Sequence, residues 1–141
     1  MLVGQYEHNI NQKNGRVFIP AKLREDIGET FVMSVGLDDR FLCIYSLEEW
    51  ANLQRQVDGL PLASVNAVRR FLHANAAELQ PDAQGRVCIP QNLRDYARLT
   101  ETVVIAGVSN HIEIWDKESW EKTQAATSPE SIMEILGKLN G

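Results

Sequence analysis

The apolar positions of the chain repeat at an interval of about seventy residues. Residues 15–20, GRVFIP, return as residues 85–90, GRVCIP, and in both segments a glycine and an arginine precede an apolar run that ends at a proline. Glycine permits φ > 0 in a turn, and proline ends a strand while it suits the start of a helix. Each copy therefore predicts a turn, a strand and a helix, and we interpret the chain as a tandem duplication.

The first copy is predicted to form a hairpin followed by a helix and two further strands. These elements lie, in order, at 6–10, 17–19, 20–27, 31–35 and 41–45. The connection between the first two strands contains Asn14-Gly15, the pair that a tight type I′ turn prefers. We therefore expect the loop at 11–15 to project Lys13 and Arg16 at or beside its tip.

The second copy repeats this order of elements. Its turn is predicted at 81–85, and its later strands at 103–106 and 111–115. Each copy also contains a tryptophan on a following helix, and Trp50 and Trp120 stand seventy residues apart. We expect the two indoles to occupy equivalent, buried places related by an approximate two-fold axis.

Capping residues predict where the helices begin and end. Gly28 is expected to end the first helix. Ser46 and Glu49 fit a capping box, in which the serine accepts from the helix start and the glutamate reaches back. Asp116 and Ser128 are placed to cap two further helices near the C-terminus.

Apolar stripes at helical spacing predict the faces that these helices bury. One helix runs from Ser46 to about residue 57, a central helix is predicted at 64–79, and a tail helix follows Ser128. The stripes are Leu23 and Ile27; Leu47, Trp50, Leu53 and Val57; Val65, Val68, Leu72 and Ala76; and Ile132, Ile135, Leu136 and Leu139. Because the tail stripe is narrow, it must pack in a groove on the body or on a neighbouring subunit.

The length of 141 residues allows an α+β fold that buries a core without disulfides. We favour two interleaved halves over two independent domains. The predicted segments are a first repeat at 1–60, a connecting helix at 61–80, a second repeat at 81–126 and a C-terminal helix at 127–141. No apolar run approaches the roughly 20 residues that span a bilayer, and Cys43 and Cys88 are expected to be reduced strand residues of a cytoplasmic protein.

Charge is distributed unevenly along the chain. Residues 1–24 contain Lys13, Arg16, Lys22 and Arg24 against one acid, Glu7; since the whole chain has a net charge of -5, the remainder has a net charge of -8. The total argues against general attraction to nucleic acid or anionic membrane. The distribution instead indicates an acidic body with a basic N-terminal face.

Catalytic and metal-binding signatures are missing from the sequence. It contains no HExxH motif, Walker A loop, G-x-S-x-G elbow or GxGxxG turn after a strand. His8, His73 and His111 lack ligand-like spacing. We therefore predict a protein that is not an enzyme and uses no metal, cofactor or small-molecule substrate. A hydrolase with an unrecognised Ser/His/Asp set is an alternative interpretation.

The remaining candidate chemistry is an arginine presented twice beside a loop. Arg16 and Arg86 can each contact phosphate as a fixed charge, or bind guanine O6 and N7 as a planar fork. The alternative for Arg86 is a local salt bridge to Asp82 that tightens its turn. Arg16 has no aspartate at the matching place, so its charge is freer to serve a partner.

These residues together resemble the MraZ family, bacterial relatives of the AbrB-type swapped-hairpin DNA-binding proteins. The resemblance covers nearly the whole chain and includes MLVGQYEH at 1–8, LEEW at 47–50, LPL at 60–62, GRVCIPQNLR at 85–94 and GVSNHIEIW at 107–115. It implies two tandem AbrB-like repeats that interlock into one pseudo-two-fold, β-barrel-like core with flanking helices.

The resemblance also implies which residues bind DNA. The family has two D-x-x-x-R motifs on the loops implicated in this binding; the second is intact as Asp82 and Arg86. In the first, Asn11 replaces the aspartate and one extra residue precedes Arg16. The expected DNA-binding residues are Asn11, Lys13, Asn14, Arg16, Lys22, Asp82 and Arg86.

By resemblance, the function is regulation of transcription of the division and cell-wall gene cluster, most simply as a repressor. A ring of subunits would bind repeated elements of a double-stranded promoter, in the cytoplasm and at the nucleoid. The alternative is a ring-forming assembly protein that binds a protein or peptide partner, with DNA recognition weakened by the change in the first loop.

Overall fold

The computed structural model describes residues 1–140 as an α+β fold, which confirms the predicted class. The strands are β1 (Gln5–Asn9), β2 (Arg16–Phe18), β3 (Phe31–Val35), β4 (Leu42–Ser46), β5 (Ala77–Leu79), β6 (Arg86–Cys88), β7 (Thr102–Val108) and β8 (His111–Asp116). The helices are α1 (Ala21–Ile27), α2 (Leu47–Asp58), α3 (Leu62–Ala74), α4 (Gln91–Tyr96), α5 (Lys117–Ala125) and α6 (Pro129–Gly137), followed by a 3₁₀ turn at Lys138–Asn140.

Six strands form one antiparallel sheet in the order β1-β7-β8-β4-β3-β5, and β2 and β6 form a separate two-stranded ribbon. Within residues 1–140 the larger sheet ends at β1 and β5 and does not close. The expected barrel-like core is therefore wrong: the core is an open sheet and a ribbon.

Strands of the two sequence copies pair with each other. β1 pairs with β7, β5 pairs with β3, and β2 pairs with β6. The buried cluster beneath them also takes members from both copies, including Val17, Val87, Leu23 and Leu93. Each copy alone would lose these partners, so the two copies share one hydrophobic core.

The central helix is shorter than its apolar spacing predicts. Helix α3 ends at Ala74, and residues 77–79 form β5, which pairs with β3 from Phe31 to Met33. The buried Ser34 hydroxyl on β3 donates to the carbonyls of Leu72 (3.1 Å) and Asn75 (3.2 Å). These two bonds satisfy carbonyls that would otherwise accept from a further turn of the helix. The chain after Ala74 instead forms strand hydrogen bonds with the edge of β3.

The capping predictions have mixed outcomes. Gly28 ends α1 with φ of 94°, and the Ser46 hydroxyl accepts from the Glu49 amide at 3.1 Å, as predicted. The Glu49 carboxylate, however, accepts from Asn52 rather than from the helix start. Asp116 stands before α5, but its carboxylate accepts from the amide and hydroxyl of Thr100, 3.0 and 2.6 Å away. The buried acid therefore joins two elements instead of capping a helix.

The two tryptophans have matching partners but less burial than predicted. Trp50 lies 5.7 Å from the ring of Tyr45, and Trp120 lies 5.9 Å from the ring of Trp115, the residue seventy positions after Tyr45. Both indoles are half-buried. Trp120 also donates to the side chain of Gln5 at 2.8 Å, so its polar edge reaches the surface.

Helix α6 leaves its apolar stripe exposed. Ser128 caps it, as predicted, in a reciprocal pair with Ser131, and Pro129 is its first residue. The exposed apolar side chains are Ile132, Met133, Ile135, Leu136 and Leu139, each at least two-fifths accessible. The helix does not bury this stripe on its own body. Gly141, the end of the predicted C-terminal segment, lies outside the described residues.

Candidate nucleic-acid interface

The β2–β6 ribbon divides its residues between a buried and an outward face. Val17 and Val87 are directly paired, and both are almost fully buried. Arg16 pairs with Cys88, and Phe18 pairs with Arg86. Because successive side chains of a strand point to opposite faces, these four lie together on the face away from the core. The ribbon thus presents one arginine from each sequence copy on the same surface.

Reciprocal backbone bonds extend this ribbon at both ends. The amide of Ile19 donates to the carbonyl of Gly85 at 3.0 Å, and the amide of Ile89 donates to the carbonyl of Gly15 at 2.9 Å. The strand rise and spacing place the Cα atoms of Arg16 and Arg86 about 8 Å apart on a diagonal of the ribbon. The two loops that precede these arginines, 11–16 and 82–86, are named the first loop and the second loop below.

The first loop is closed by side-chain amides. The Asn11 amide donates to the Arg16 carbonyl at 2.9 Å, and the Gly15 amide donates to the Asn11 carbonyl at 2.7 Å. The Asn11 side-chain oxygen accepts from the amides of Lys13 (2.9 Å) and Asn14 (3.2 Å). The Asn14 side-chain oxygen accepts from the Arg16 amide at 2.9 Å. Asparagine side chains of this kind stabilise turns without supplying charge.

This geometry corrects the predicted type I′ hairpin. Among residues 1–140, the non-glycine residues with positive φ are Arg98 and Ser109, so Asn14 lacks the φ > 0 that type I′ requires at both central positions; Gly15 alone of the pair has it, at 76°. Strands β1 and β2 also pair with β7 and β6 rather than with each other. Long-range strand partners thus override the local preference of the Asn-Gly pair.

The second loop is closed by a carboxylate. The Asp82 amide donates to the Arg86 carbonyl at 2.8 Å, and one Asp82 carboxylate oxygen accepts from the amides of Gln84 and Arg86, both at 2.9 Å. The other oxygen accepts from the Arg86 guanidinium at 3.2 Å. The pKa of Asp82 is lowered, first by the bond from the Arg86 amide and then by its other donors. The predicted salt bridge between Asp82 and Arg86 is confirmed.

The extra residue explains how the first loop manages without an aspartate. In the second loop one carboxylate oxygen binds both the intervening amide and the arginine amide; in the first loop Asn11 and Asn14 divide this task. Among the ion pairs of residues 1–140, none includes Arg16. The exposed guanidinium of Arg16 is charged like that of any arginine, and the neighbouring Cys88 thiol raises its pKa further.

The structure brings some of the predicted site residues together and separates others. Asn11, Asn14, Arg16 and Arg86 line a shallow surface depression with Asn9, Ile10 and Phe18. Lys13, Lys22 and Asp82 are exposed but do not line it. Neither lysine joins an ion pair within the described part of the chain. Both lysines remain available as solvent-exposed cations.

Three residues at this surface escaped the sequence analysis. Phe18 lies 5.1 Å, ring to ring, from His8 and 5.5 Å from the guanidinium carbon of Arg24. Arg24 and Arg94 donate from Nε to the carbonyls of Ile19 (2.8 Å) and Ile89 (2.9 Å), at the ends of the ribbon. The repeated Leu-Arg pair marked both positions in the sequence, but no local pattern shows what an arginine contacts across the fold.

His73 and His111 lie away from this surface and have local partners, whereas Cys88 lies on the outward face of the ribbon. His73 bonds with Gln54, and His111 bonds with Glu113 at 2.9 Å. Both cysteines are free, and burial raises the pKa of the Cys43 thiol to about 12. No group of three His, Cys, Asp or Glu side chains among residues 1–140 is arranged to hold a metal ion. None of the described helices has the length and apolar composition to cross a bilayer.

Comparison with known proteins places the chain in a family. A family model described as "MraZ protein, putative antitoxin-like" matches residues 1–70 and 72–138. The chain is 49% identical to a protein named transcriptional regulator MraZ from Thermoanaerobacter sp. (strain X514), over 99% of both chains. It is 48% identical to the protein of that name from Acetivibrio thermocellus, again over 99% of both.

A further protein named transcriptional regulator MraZ, from Caldanaerobacter subterraneus subsp. tengcongensis, is 47% identical over 99% of both chains. The two segments matched by the family model divide the chain near residue 71, close to the interval of the sequence repeat. These relatives are regulators of transcription, and the prediction that the chain is not an enzyme is confirmed. The chain belongs to the MraZ family of transcriptional regulators.

Proposed function

We propose that the protein regulates transcription by binding double-stranded DNA through the outward face of the β2–β6 ribbon and its two loops. The observation that carries this proposal is the pair of arginines, one from each copy, on a single exposed face. Arg16 lacks an acidic partner among residues 1–140, whereas Arg86 is held by Asp82. An exposed guanidinium that is not bound to a carboxylate can offer its donors to a base edge or a phosphate.

Each predicted residue has a distinct role in this proposal. Arg16 reads a base edge, because its planar guanidinium can donate two parallel hydrogen bonds to guanine O6 and N7. Arg86 contacts DNA from a second loop that Asp82 holds in shape. Lys13 and Lys22 supply phosphate contacts, while Asn11 and Asn14 set the conformation of the first loop. The basic N-terminal segment thus forms the binding face of an otherwise acidic protein.

Oligomerisation is part of the proposed mechanism. One subunit offers few cations, so its affinity for DNA is low, and several subunits engaging successive promoter repeats raise the overall affinity without new contacts. The exposed stripe of α6, from Ile132 to Leu139, supports packing against a neighbouring copy in a ring. Pairing of β1 with β7 and of β2 with β6 supports interlocked AbrB-like repeats at 1–60 and 81–126, with 61–80 between them.

The target and location follow from the family resemblance. The proposed target is the promoter of the division and cell-wall gene cluster, with repression as the output and with the protein in the cytoplasm and at the nucleoid. The relatives' name supports regulation of transcription.

A salt titration with matched variants tests this function. Binding to the DNA upstream of the protein's own gene is measured for wild type, Arg16→Ala and Arg55→Ala; Arg55 is an exposed arginine on α2, outside the ribbon. Wild-type binding should weaken steeply with salt, with a log-log slope near -0.9 for each phosphate neutralised. Arg16→Ala should lose about 1 to 3 kcal/mol per contact and its sequence preference, while Arg55→Ala should bind normally.

The contrary results are equally specific. Salt-insensitive or undetectable binding by folded wild-type protein would contradict the DNA-binding proposal and favour an assembly protein with a protein or peptide partner. Normal binding by Arg16→Ala, together with loss of binding by Arg86→Ala, would show that the second loop carries recognition.

A further inference from the structure

We propose that Arg94 is a positioning residue for recognition by the first loop: its guanidinium, which belongs to the second repeat, holds the backbone from which Arg16 projects. This inference rests on the proposed DNA-binding function, but the geometry behind it does not. Arg94 lies on α4 and reaches the first loop from 82 residues away in sequence.

The guanidinium of Arg94 makes two backbone contacts and one close packing contact. Its Nε donates to the carbonyl of Ile89 at 2.9 Å, and its Nη1 donates to the carbonyl of Gln12, inside the first loop, at 3.2 Å. A Cβ atom built on Gly15 would lie 2.7 Å from this Nε and 3.0 Å from Cζ. The guanidinium therefore lies directly against Gly15, the residue before Arg16.

Arg24 occupies the corresponding place beside the second loop, with one difference. Its Nε donates to the carbonyl of Ile19 at 2.8 Å, and a Cβ atom on Gly85 would lie 2.8 Å from its Cζ. Its guanidinium packs over the ring of Phe18, and no bond from it to a carbonyl of the second loop is present among residues 1–140. Each loop glycine is thus covered by an arginine of the other repeat, but only Arg94 bonds to the loop itself.

The difference matches the internal chemistry of the two loops. The second loop is closed by the charged Asp82–Arg86 pair, whereas neutral asparagine side chains close the longer first loop. A hydrogen bond from a charged donor is stronger than one between neutral groups. The bond from Arg94 to the Gln12 carbonyl therefore stabilises the first loop from outside, in place of the ion pair that closes the second loop. Lysine cannot reproduce it, because one ammonium group does not present the planar fork that reaches Ile89 and Gln12 together.

The test compares Arg94→Lys with Arg24→Lys. Both variants keep the positive charge and remove the planar guanidinium, the first beside the first loop and the second beside the second loop. Three quantities are measured: the affinity for the upstream DNA relative to scrambled DNA, the salt slope, and amide hydrogen exchange at residues 12–15. We expect Arg94→Lys to lose about tenfold in relative affinity, the effect of one charged hydrogen bond, with faster exchange at Gly15 and an unchanged slope. Arg24→Lys should change this exchange by less than about threefold, because no bond from Arg24 to the first loop is present among residues 1–140.

A third variant, Arg94→Gln, removes the charge: a salt slope reduced by about one in it would mean that Arg94 itself contacts a phosphate, and would overturn the positioning role. Unchanged affinity, or unchanged exchange at Gly15, would overturn it as well. If wild-type protein binds no DNA, the proposed function fails, yet the exchange comparison still decides whether Arg94 holds the loop.

A redesigned first loop supplies a second test if Arg94→Lys unfolds. Asn11→Asp combined with deletion of Asn14 copies the Asp-x-x-Gly-Arg spacing of the second loop. In this background an ion pair between position 11 and Arg16 should stabilise the loop in place of the bond from Arg94. Adding Arg94→Lys should then leave the Gly15 exchange rate and the affinity ratio nearly unchanged. An equal loss in both backgrounds would contradict the inference.

Discussion

Replacing Gly15 with alanine should destabilise the fold far more than the same change at Gly28, although both glycines have positive φ, 76° and 94° respectively. Gly28 also has ψ of 176°, an extended conformation with positive φ that L-residues seldom adopt, so backbone strain alone costs about 1 to 3 kcal/mol at either site. The surroundings differ sharply. At Gly28 the nearest atom to an added Cβ is the Thr30 carbonyl oxygen, 3.9 Å away; at Gly15 the Ile89 carbonyl oxygen would be 2.4 Å away.

The contact at Gly15 adds a second cost because neither neighbour can yield without losing a bond. The carbonyl of Ile89 accepts from Arg94, and the amide of Ile89 donates to the carbonyl of Gly15. Moving the backbone apart weakens both bonds, each worth about 1 kcal/mol net. Gly15→Ala should therefore lose about 2 kcal/mol in the free energy of unfolding from these bonds in addition to its backbone strain, whereas Gly28→Ala should lose the backbone strain alone.

Urea unfolding followed by circular dichroism measures this difference. The midpoint should fall in both variants while the slope m stays constant, so that the two shifts compare directly. If Gly15→Ala proves as stable as Gly28→Ala, the reasoning is refuted. That result would mean that the ribbon and Arg94 can move away from an added methyl group at position 15 without loss of stability.

Three further predictions follow from other parts of the chain. Because the pKa of Asp82 is lowered in the folded protein, its ionised carboxylate stabilises the fold at pH values above its unfolded pKa of about 4. This stabilisation is lost as the pH falls through the folded pKa, so the difference in melting temperature between wild type and Asp82→Asn should be present at pH 7 and vanish in strong acid. Arg98 has φ of 54° at a helix end, and Arg98→Gly should raise the free energy of unfolding by about 0.5 kcal/mol, measured in urea; a loss would contradict this. Light scattering should show a large oligomer for wild type, and Ile135→Glu with Leu136→Glu should dissociate it; a wild-type monomer at micromolar concentration would rule out the ring.

The sequence repeat predicted most strands and helices, because alternation and capping are local properties that the structure retains in β3, β4, α1 and α6. It could not predict which strands pair. The period of a strand shows which side chains share a face but not which neighbour supplies the hydrogen bonds. The Asn14-Gly15 pair therefore suggested a local hairpin, although β2 pairs with β6. The apolar spacing of Leu72, Ala76 and Leu79 likewise suited a longer helix until the edge of β3 was available as a partner.

The candidate site shows the same division between local and long-range information. The structure places Arg16 and Arg86 on one face, as their positions in the repeated motif suggested, and confirms the ion pair of Arg86. The contacts of Arg24 and Arg94 span the two copies, so nothing within either copy points to them. An arginine that binds backbone carbonyls across a fold has the same local sequence as one that is free on the surface.

The two loops suggest how a duplicated motif can divide its tasks. An arginine already bonded to a carboxylate must weaken that bond before it binds DNA, and part of the new interaction replaces the old one. Arg16 has no such partner among residues 1–140, so its contact with DNA would be a net gain. Without the carboxylate, however, the first loop needs another support, and Arg94 of the other repeat provides a bond to it. The interlocking of the two copies thereby lets one loop keep its arginine free while its backbone stays fixed, which a single copy could not do.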